Sequence, residues 1–115
     1  MKKDRIYLMH ILDAIRKVKQ YVSVGYEEFM AHSHWQDAVM RQLEIIGEAT
    51  KRLSEGLRIQ HPAVQWRRIA GLRDVLIHDY MGVDLEAVWQ VTQRGVPELE
   101  GQIQEILNEM EEGTE

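Results

Sequence analysis

A permanent cation, an imidazole and a phenol occur within eight residues of this chain, at Arg73, His78 and Tyr80. The guanidinium group of arginine stays charged and matches the geometry of phosphate oxygens. The imidazole of histidine exchanges protons near neutral pH. With these groups a protein can hold a phosphodiester and move protons at it without a metal ion. The stretch therefore indicates phosphodiester chemistry.

The spacing of these residues restricts how a helix can present them. On a straight helix, positions five apart differ by about 140°, so Arg73 and His78 do not share a face. Either the helix ends near Ile77 and His78 turns back, or a second copy of the chain completes the site. Asp74, four residues before His78, can accept a hydrogen bond from the imidazole and orient it, and Asp79 is the other neighbouring carboxylate.

Structural alternatives exist for this stretch and for another polar cluster. His78 can instead cap the carbonyls of a helix C-terminus, with Tyr80 packed so that its hydroxyl faces outward. His32 and His34, with Asp37 nearby, are candidate metal ligands. Histidines two apart on a helix point apart, however, which favours loop or cap roles for them. The three tryptophans are spread along the chain and indicate packing, not a base-stacking platform.

The composition bounds the class of protein. The chain has 115 residues, 44% of them apolar and 29% charged, which is ordinary for one soluble globular domain. No apolar run approaches the roughly 18 residues that span a bilayer, and no apolar segment follows the charged N-terminus, so we expect a cytoplasmic protein. The absence of cysteine excludes disulfides, zinc–thiolate sites and thiol catalysis.

The charge is distributed unevenly. A net charge of −5 argues against a protein that simply coats nucleic acid. Residues 1–19 and residues 41–73 nevertheless each carry +4, whereas residues 98–115 carry −7. A basic face can therefore coexist with an acidic tail, and the local potential steers a phosphate ligand more than the net charge does.

The apolar periodicity predicts helices along the whole chain, since apolar residues recur at spacings of three and four without strand-like alternation. The first predicted helix runs from the N-cap Asp4 to about Met30, and the second runs from Trp35, after the cap Ser33, to about Leu53. Two short helices are predicted from Pro62 to Ile69 and from Leu72 to about Ile77. The last predicted helix runs from the N-cap Asp84 to about Met110, with an interruption at Gly95 and Pro97. The apolar stripe of the first helix is predicted to comprise Ile6, Met9, Ile11, Leu12, Ile15, Val18 and Val22. Ser54, Glu55 and Gly56 are predicted to end the second helix. The fold class is all-α, an antiparallel bundle of four or five helices.

The stretch from Arg73 to Tyr80 resembles the signature of the HepT-like toxins of the HEPN superfamily, an Arg and a His separated by four to six residues and a Tyr two residues later. Two further segments look like the family's second helix and its approach to the active segment. The likeness covers roughly residues 4–108 and rests on Arg41-Gln-Leu-Glu-Ile-Ile-Gly-Glu-Ala49, Lys51-Arg52-Leu53-Ser54, Pro62-Ala-Val-Gln-Trp66-Arg-Arg-Ile69-Ala-Gly71-Leu-Arg73 and Asp84-Leu-Glu-Ala-Val-Trp89.

The resemblance implies a single HEPN domain over residues 1–115, frayed in its last few residues, that acts as a dimeric, metal-independent endoribonuclease without a cofactor. It implies that Arg73 and His78 of both copies line a shared cleft. There His78 would deprotonate a ribose 2′-hydroxyl, and Arg73 would stabilise the charge on the phosphoryl oxygens. Arg41 and Glu48 of the second helix either shape the cleft or belong to structural ion pairs.

The resemblance also implies a partner. Tyr80 is similar to the tyrosine that a minimal nucleotidyltransferase antitoxin modifies with AMP in a type VII-like toxin–antitoxin system. Added phosphates would compete for Arg73 and fill the cleft with negative charge. The alternative is a non-catalytic helical dimer that serves as binding partner or substrate of the nucleotidyltransferase, with Tyr80 as an interface aromatic.

Overall fold

The computed structural model describes residues 2–72 and 84–113, which are helical apart from short connections. Their helices are α1 (Lys2–Val22), α2 (Tyr26–Ala31), α3 (Ser33–Lys51), α4 (Glu55–Gln60), α5 (Trp66–Ala70), α6 (Leu85–Gln90), a π-helical segment (Val91–Gly95) and α7 (Val96–Glu112). No strand occurs in these residues, and the all-α prediction is confirmed. The predicted helix from Leu72 to Ile77 lies outside the described residues except for Leu72.

The three long helices α1, α3 and α7 form the antiparallel centre of the bundle. Asp4, near the start of α1, contacts Ser54, which follows the end of α3. Lys19, near the end of α1, pairs with Glu100, near the start of α7, at 2.7 Å, and a second ion pair joins the opposite ends of these two helices. The Asp4–Ser54 contact requires α1 to run antiparallel to α3, and the two ion pairs require it to run antiparallel to α7, as predicted.

One face of α1 supplies the largest part of the core. Leu8, Ile11, Leu12, Ile15 and Val18 are at most 3% exposed. The prediction was wrong for Ile6 and Met9, which are 53% and 43% exposed. At about 100° per residue, both lie well away from the face centred on the buried residues, whereas Leu8 lies within it.

The first helix ends at Val22 instead of continuing to Met30 as predicted. Gly25 has φ 98° and ψ 164°, a conformation that is essentially restricted to glycine. The chain therefore turns here and begins the separate helix α2. Phe29 of α2 is fully buried, so α2 packs its apolar side against the core although it is not continuous with α1.

The start of α3 also differs from the prediction. Ser33 is the first residue of α3 and not its cap. His32 precedes it with an extended backbone, and its side chain makes no capping hydrogen bond. The helix thus begins earlier than predicted, and its inward face is buried, with Val39, Leu43 and Ile46 at most 1% exposed.

Ser54 begins a helix that was not predicted. Its hydroxyl oxygen accepts a hydrogen bond from the backbone N–H of Leu57 at 3.2 Å and so caps α4. The same hydroxyl donates to one carboxylate oxygen of Asp4 at 2.6 Å, and the Ser54 backbone N–H donates to the other at 2.8 Å. Asp4 is thus not the N-cap of α1, which begins at position 2, but a buried group that fastens α1 to α4.

The last part of the chain follows the prediction closely. The side chain of Asp84 accepts a hydrogen bond from the backbone N–H of Ala87 at 3.0 Å and caps α6. The predicted interruption is the π-helical segment that precedes Pro97. Proline lacks an N–H and its ring clashes with the carbonyl four residues earlier in an α-helix, so the wider turn relieves that conflict. Within the described residues, no helix is long and apolar enough to cross a membrane.

Candidate functional site

Five of the seven predicted site residues lie outside the described residues: Arg73, Asp74, His78, Asp79 and Tyr80. Arg41 and Glu48 are described, and both lie on α3. Positions seven apart on a helix differ by only about 20°, so the two side chains lie on the same face of α3. The roles predicted for all seven residues stay predictions.

Arg41 and Glu48 each pair with a neighbour on α3 and not with each other. A guanidinium nitrogen of Arg41 lies 3.7 Å from a carboxylate oxygen of Glu44, and the Lys51 ammonium lies 3.7 Å from Glu48. Exposed pairs of this kind contribute about 0.2–0.5 kcal/mol each. The Arg41 side chain is 70% exposed, so its guanidinium is accessible to an anion.

Helix α5 fixes the chain just before the predicted catalytic stretch. Trp66, its first residue, is 7% exposed, and its indole N–H donates to the carbonyl of His61 at 2.9 Å. Ile69 and Leu72 continue the apolar side of this segment and line a groove together with Leu43 of α3. The groove has a volume of about 610 Å³ and lies between α3, α5, α6 and the start of α7. The scaffold thus positions residue 72 from one side and residue 84 from the other.

A second groove, between α4 and α5, carries exposed positive charge. It has a volume of about 430 Å³ and is lined by Glu55, Arg58, Ile59, Trp66, Arg67 and Ala70. We call it the α4–α5 groove. Arg58 and Arg67 were not predicted as site residues. The signal that could have found them is the +4 charge of residues 41–73, which the sequence by itself could not assign to one face.

His32 occupies the cap position before α3, in line with the predicted loop or cap role, whereas His34 is the second residue of the helix. The rings of His32 and His34 lie 5.5 Å apart, because His32 precedes the helix in an extended conformation. His34 also packs on Trp35 at 4.9 Å, and an imidazole nitrogen of His32 lies 3.4 Å from Glu28. In the part of the chain that the structure describes, no group of three or more His, Asp or Glu residues could hold a metal ion.

The three tryptophans pack against the core, as predicted. Trp66 is buried, and Trp35 and Trp89 are partly buried against the core cluster. Trp89 contacts Phe29 at 5.3 Å and Tyr26 at 5.5 Å between ring centroids. These contacts join α2 to α6, so the aromatic groups stabilise the bundle instead of presenting an open stacking surface.

Comparison with known proteins identifies the family. A family model described as "Ribonuclease HepT-like" matches residues 11–106. The chain is 42% identical over 108 residues to "Putative RNase TTE0752" of Caldanaerobacter subterraneus subsp. tengcongensis, covering 93% of this chain and 96% of that protein. It is 37% identical over 106 residues to "Probable ribonuclease HepT" of Thermococcus cleftensis, covering 91% of this chain and 96% of that protein.

A longer relative also matches. The chain is 40% identical over 113 residues to "Gamma-glutamylcyclotransferase and putative RNase MJ0434" of Methanocaldococcus jannaschii. That match covers 96% of this chain but spans about half, 51%, of the relative. No solved structure matches the chain. The family model and the matches over nearly the whole length show that this chain belongs to the HepT-like ribonuclease family.

Proposed function

We propose that this chain is an endoribonuclease that cleaves RNA without a metal ion, as a single HEPN domain acting in a dimer. The observation that carries the proposal is the combination of family membership over residues 11–106 with an intact Arg73–His78–Tyr80 motif inside that range. The names of the relatives describe RNases, which supports RNA as the substrate.

The reaction follows from the chemistry of the two main residues. His78 removes the proton from a ribose 2′-hydroxyl, and the resulting oxygen attacks the adjacent phosphorus. Arg73 stabilises the negative charge that builds on the phosphoryl oxygens. As the bond to the 5′-oxygen breaks, the protonated imidazole of the second copy donates a proton to that leaving oxygen. The products are a 2′,3′-cyclic phosphate and a 5′-hydroxyl, and DNA is inert because it lacks the nucleophile.

The remaining predicted residues act in support. Asp74 orients the imidazole of His78, because residues four apart are neighbours on a helix. Asp79 is the alternative carboxylate. Arg41 is exposed on α3 and shares a face with Glu48, so the two can contribute charge along one side of the cleft. The ion pair of Arg41 with Glu44 within α3 is weak, which leaves Arg41 able to exchange partners when RNA binds.

The test is a cleavage assay on mixed cellular RNA in EDTA, with protein expressed without any nucleotidyltransferase. Wild type is compared with Arg73→Ala and His78→Ala, and with His10→Ala and Arg16→Ala as controls, since both residues are exposed on α1. Only the two motif variants should lose activity, and the products should end in cyclic phosphate. Metal-dependent cleavage that survives both motif substitutions would contradict this mechanism. No cleavage by folded wild type would favour a non-catalytic binding partner.

We further propose that the ribonuclease is the toxin of a type VII-like toxin–antitoxin pair and that a minimal nucleotidyltransferase silences it by adding AMP to Tyr80. Each adenylyl group brings a phosphate that competes with RNA for Arg73. In this transfer the phenol oxygen of Tyr80 bonds to the α-phosphorus of ATP and pyrophosphate leaves. Incubation with the nucleotidyltransferase and ATP should therefore raise the mass of wild type by adenylyl units and abolish cleavage. Tyr80→Phe should remain unmodified, whereas Tyr26→Phe, which alters an exposed tyrosine on α2, should be modified like wild type. Modification of Tyr80→Phe would refute the assignment.

A further inference from the structure

We propose that Arg58 and Arg67 in the α4–α5 groove form a second phosphate-binding site, which holds the RNA backbone outside the cleavage site. The inference rests on the proposed function, since it takes single-stranded RNA as the ligand. It adds a binding surface on helices that precede the predicted catalytic stretch.

The two arginines belong to different helices but face one groove. Arg58 lies on α4 and Arg67 on α5, and both line the same volume of about 430 Å³. The indole N–H of Trp66, the first residue of α5, donates to the carbonyl of His61, which ends α4, at 2.9 Å. Trp66 and Leu57 of α4 are both buried in the core. The charges are therefore carried by a preorganised surface.

These guanidinium groups have unused hydrogen-bonding capacity. Within residues 3–72 and 84–113, no carboxylate lies within ion-pair distance of Arg58 or Arg67. Glu55 lines the groove without pairing to either. The Nε atom of Arg58 is buried and meets no acceptor among the described residues. A guanidinium group offers five N–H donors, and leaving one buried without a partner is unfavourable. A bound anion supplies the acceptors that this arrangement lacks.

The chemistry of the groove favours a phosphate backbone over a base. Trp66 is only 7% exposed, so its ring gives no platform on which a base could stack. Arginine contacts to phosphate oxygens hold a nucleic acid in register without reading its sequence. We therefore expect the groove to bind RNA independently of base identity.

The groove also lies close to the cleavage site along the chain. Arg67 precedes Arg73 by six residues, so their Cα atoms are no more than about 22 Å apart even if the chain is fully extended. A single RNA strand can thus span both positions within a few nucleotides. Arg68 is exposed on the neighbouring side of α5 and lines the groove of about 610 Å³, so positive charge continues around this helix.

The test is fluorescence anisotropy with a labelled single-stranded RNA whose riboses are 2′-O-methylated, so that it binds without being cleaved. Affinity is measured at several salt concentrations, because each phosphate contact contributes about 0.7 to the slope of log affinity against log salt for single strands. Arg67→Gln should lower the slope by about 0.7, and Arg58→Gln with Arg67→Gln by about 1.4. The dissociation constant should rise several-fold at low salt.

Three variants separate phosphate binding in this groove from a general effect of charge and from loss of folding. Arg16→Gln removes an exposed charge on α1 and should leave the slope nearly unchanged. Arg58→Lys keeps a long, positively charged side chain at this half-buried position and should retain most of the slope. It therefore controls for loss of folding when the arginine is replaced by glutamine. Ile59→Ser alters the apolar rim, where Ile59 is 68% exposed, and should not affect RNA binding. Helical content and melting temperature are measured for every variant by circular dichroism.

The outcomes distinguish this inference from the proposed function. If Arg67→Gln and the double variant keep wild-type affinity and slope while wild type cleaves RNA, the phosphate site is refuted and the ribonuclease is not. Dependence of RNA affinity on Ile59 but not on the arginines would likewise refute it and indicate that the groove contacts RNA through its apolar rim. Groove-dependent binding by a wild type that cleaves no RNA would support the site and overturn the cleavage mechanism.

Discussion

Asp4 is a buried carboxylate that joins two distant parts of the chain. It is 4% exposed, and both of its carboxylate oxygens accept hydrogen bonds from Ser54, fifty positions later. Since the Ser54 hydroxyl also accepts from the Leu57 backbone, one carboxylate fixes the start of α4 against α1. The position of α4, and with it one wall of the α4–α5 groove, depends on this small network.

Substitutions in this network should therefore destabilise the bundle. Ser54→Ala removes the cap of α4 and should lower the free energy of unfolding by about 1 kcal/mol. Asp4→Ala leaves the Ser54 backbone N–H without its acceptor and should cost about 1–3 kcal/mol. Urea unfolding measures both. Asp13→Ala, which alters an exposed carboxylate paired with Lys17, should change the free energy by less than about 0.5 kcal/mol. Equal losses for Asp4 and Asp13 would contradict the role of the network.

Tyr26 also makes a testable contact with a distant part of the chain. Its hydroxyl donates a hydrogen bond to the Glu86 carboxylate, and this bond raises the pKa of Tyr26 above its ordinary 10.0. The hydrogen bond therefore contributes stability that is complete below about pH 10 and is lost as the pH rises through the raised pKa. Phenolate absorbance should show one tyrosine titrating late in wild type, and Glu86→Gln should return it toward 10.0. An unchanged titration curve in Glu86→Gln would show that another group sets this pKa.

At the scale of elements, Gly25 separates α1 from α2. Its backbone conformation, with φ 98°, lies in a region that is strained for any residue with a side chain, although an added Cβ would meet no atom within 4 Å. Without this turn, Phe29 could not reach its buried position while α2 folds back toward α3. The break between the two helices is therefore a property of the backbone and not of side-chain crowding.

Two glycine substitutions should accordingly have opposite effects. Gly25→Ala should lower the free energy of unfolding by roughly 1–3 kcal/mol, because alanine is strained in this conformation. Gly101→Ala lies within α7 in open space and should raise it by about 0.5–1 kcal/mol, because alanine favours the helix. Chemical unfolding of the two variants beside wild type measures both changes. Stabilisation by Gly25→Ala would mean that the turn is not needed.

At the scale of the whole molecule, the proposed cleft requires two copies of the chain. The described part of one copy shows how the scaffold holds residues 72 and 84. On a straight helix Arg73 and His78 do not share a face, so either the helix ends near Ile77 or, as proposed, a second copy completes the site. A dimer with two-fold symmetry supplies each residue twice. Catalysis should then depend on both chains at once.

Mixing active and inactive chains tests this dependence. After wild type and His78→Ala are unfolded and refolded together in equal amounts, only about a quarter of two-fold dimers contain two wild-type chains. Cleavage per wild-type chain should therefore fall. Wild type refolded with an unrelated protein in equal amount should keep its activity per chain. Full activity per wild-type chain in the mixture would show that one copy suffices and would contradict a shared cleft.

Several features of this protein follow from short-range patterns in its sequence. The apolar spacing of Ile11, Ile15 and Val18 requires a helix with one buried face, and the cap at Asp84 and the break before Pro97 depend only on neighbouring residues. The Arg73–His78–Tyr80 motif and the segments around it were sufficient to predict the family. Such features can be read from the sequence because the groups that interact lie within about one helical turn.

Tertiary structure decided what depends on distant residues. The position and residue type of Asp4 predicted an N-cap. Its partner is instead Ser54, because antiparallel packing of α1 and α3 brings these positions together. Ile6 and Met9 are apolar but exposed, since their burial depends on which side of α1 meets a neighbour. Likewise, no short-range pattern in the sequence predicts that Arg58 and Arg67 share a groove. Charge and hydrophobicity are properties of single residues, whereas a shared surface exists only once separate helices have packed.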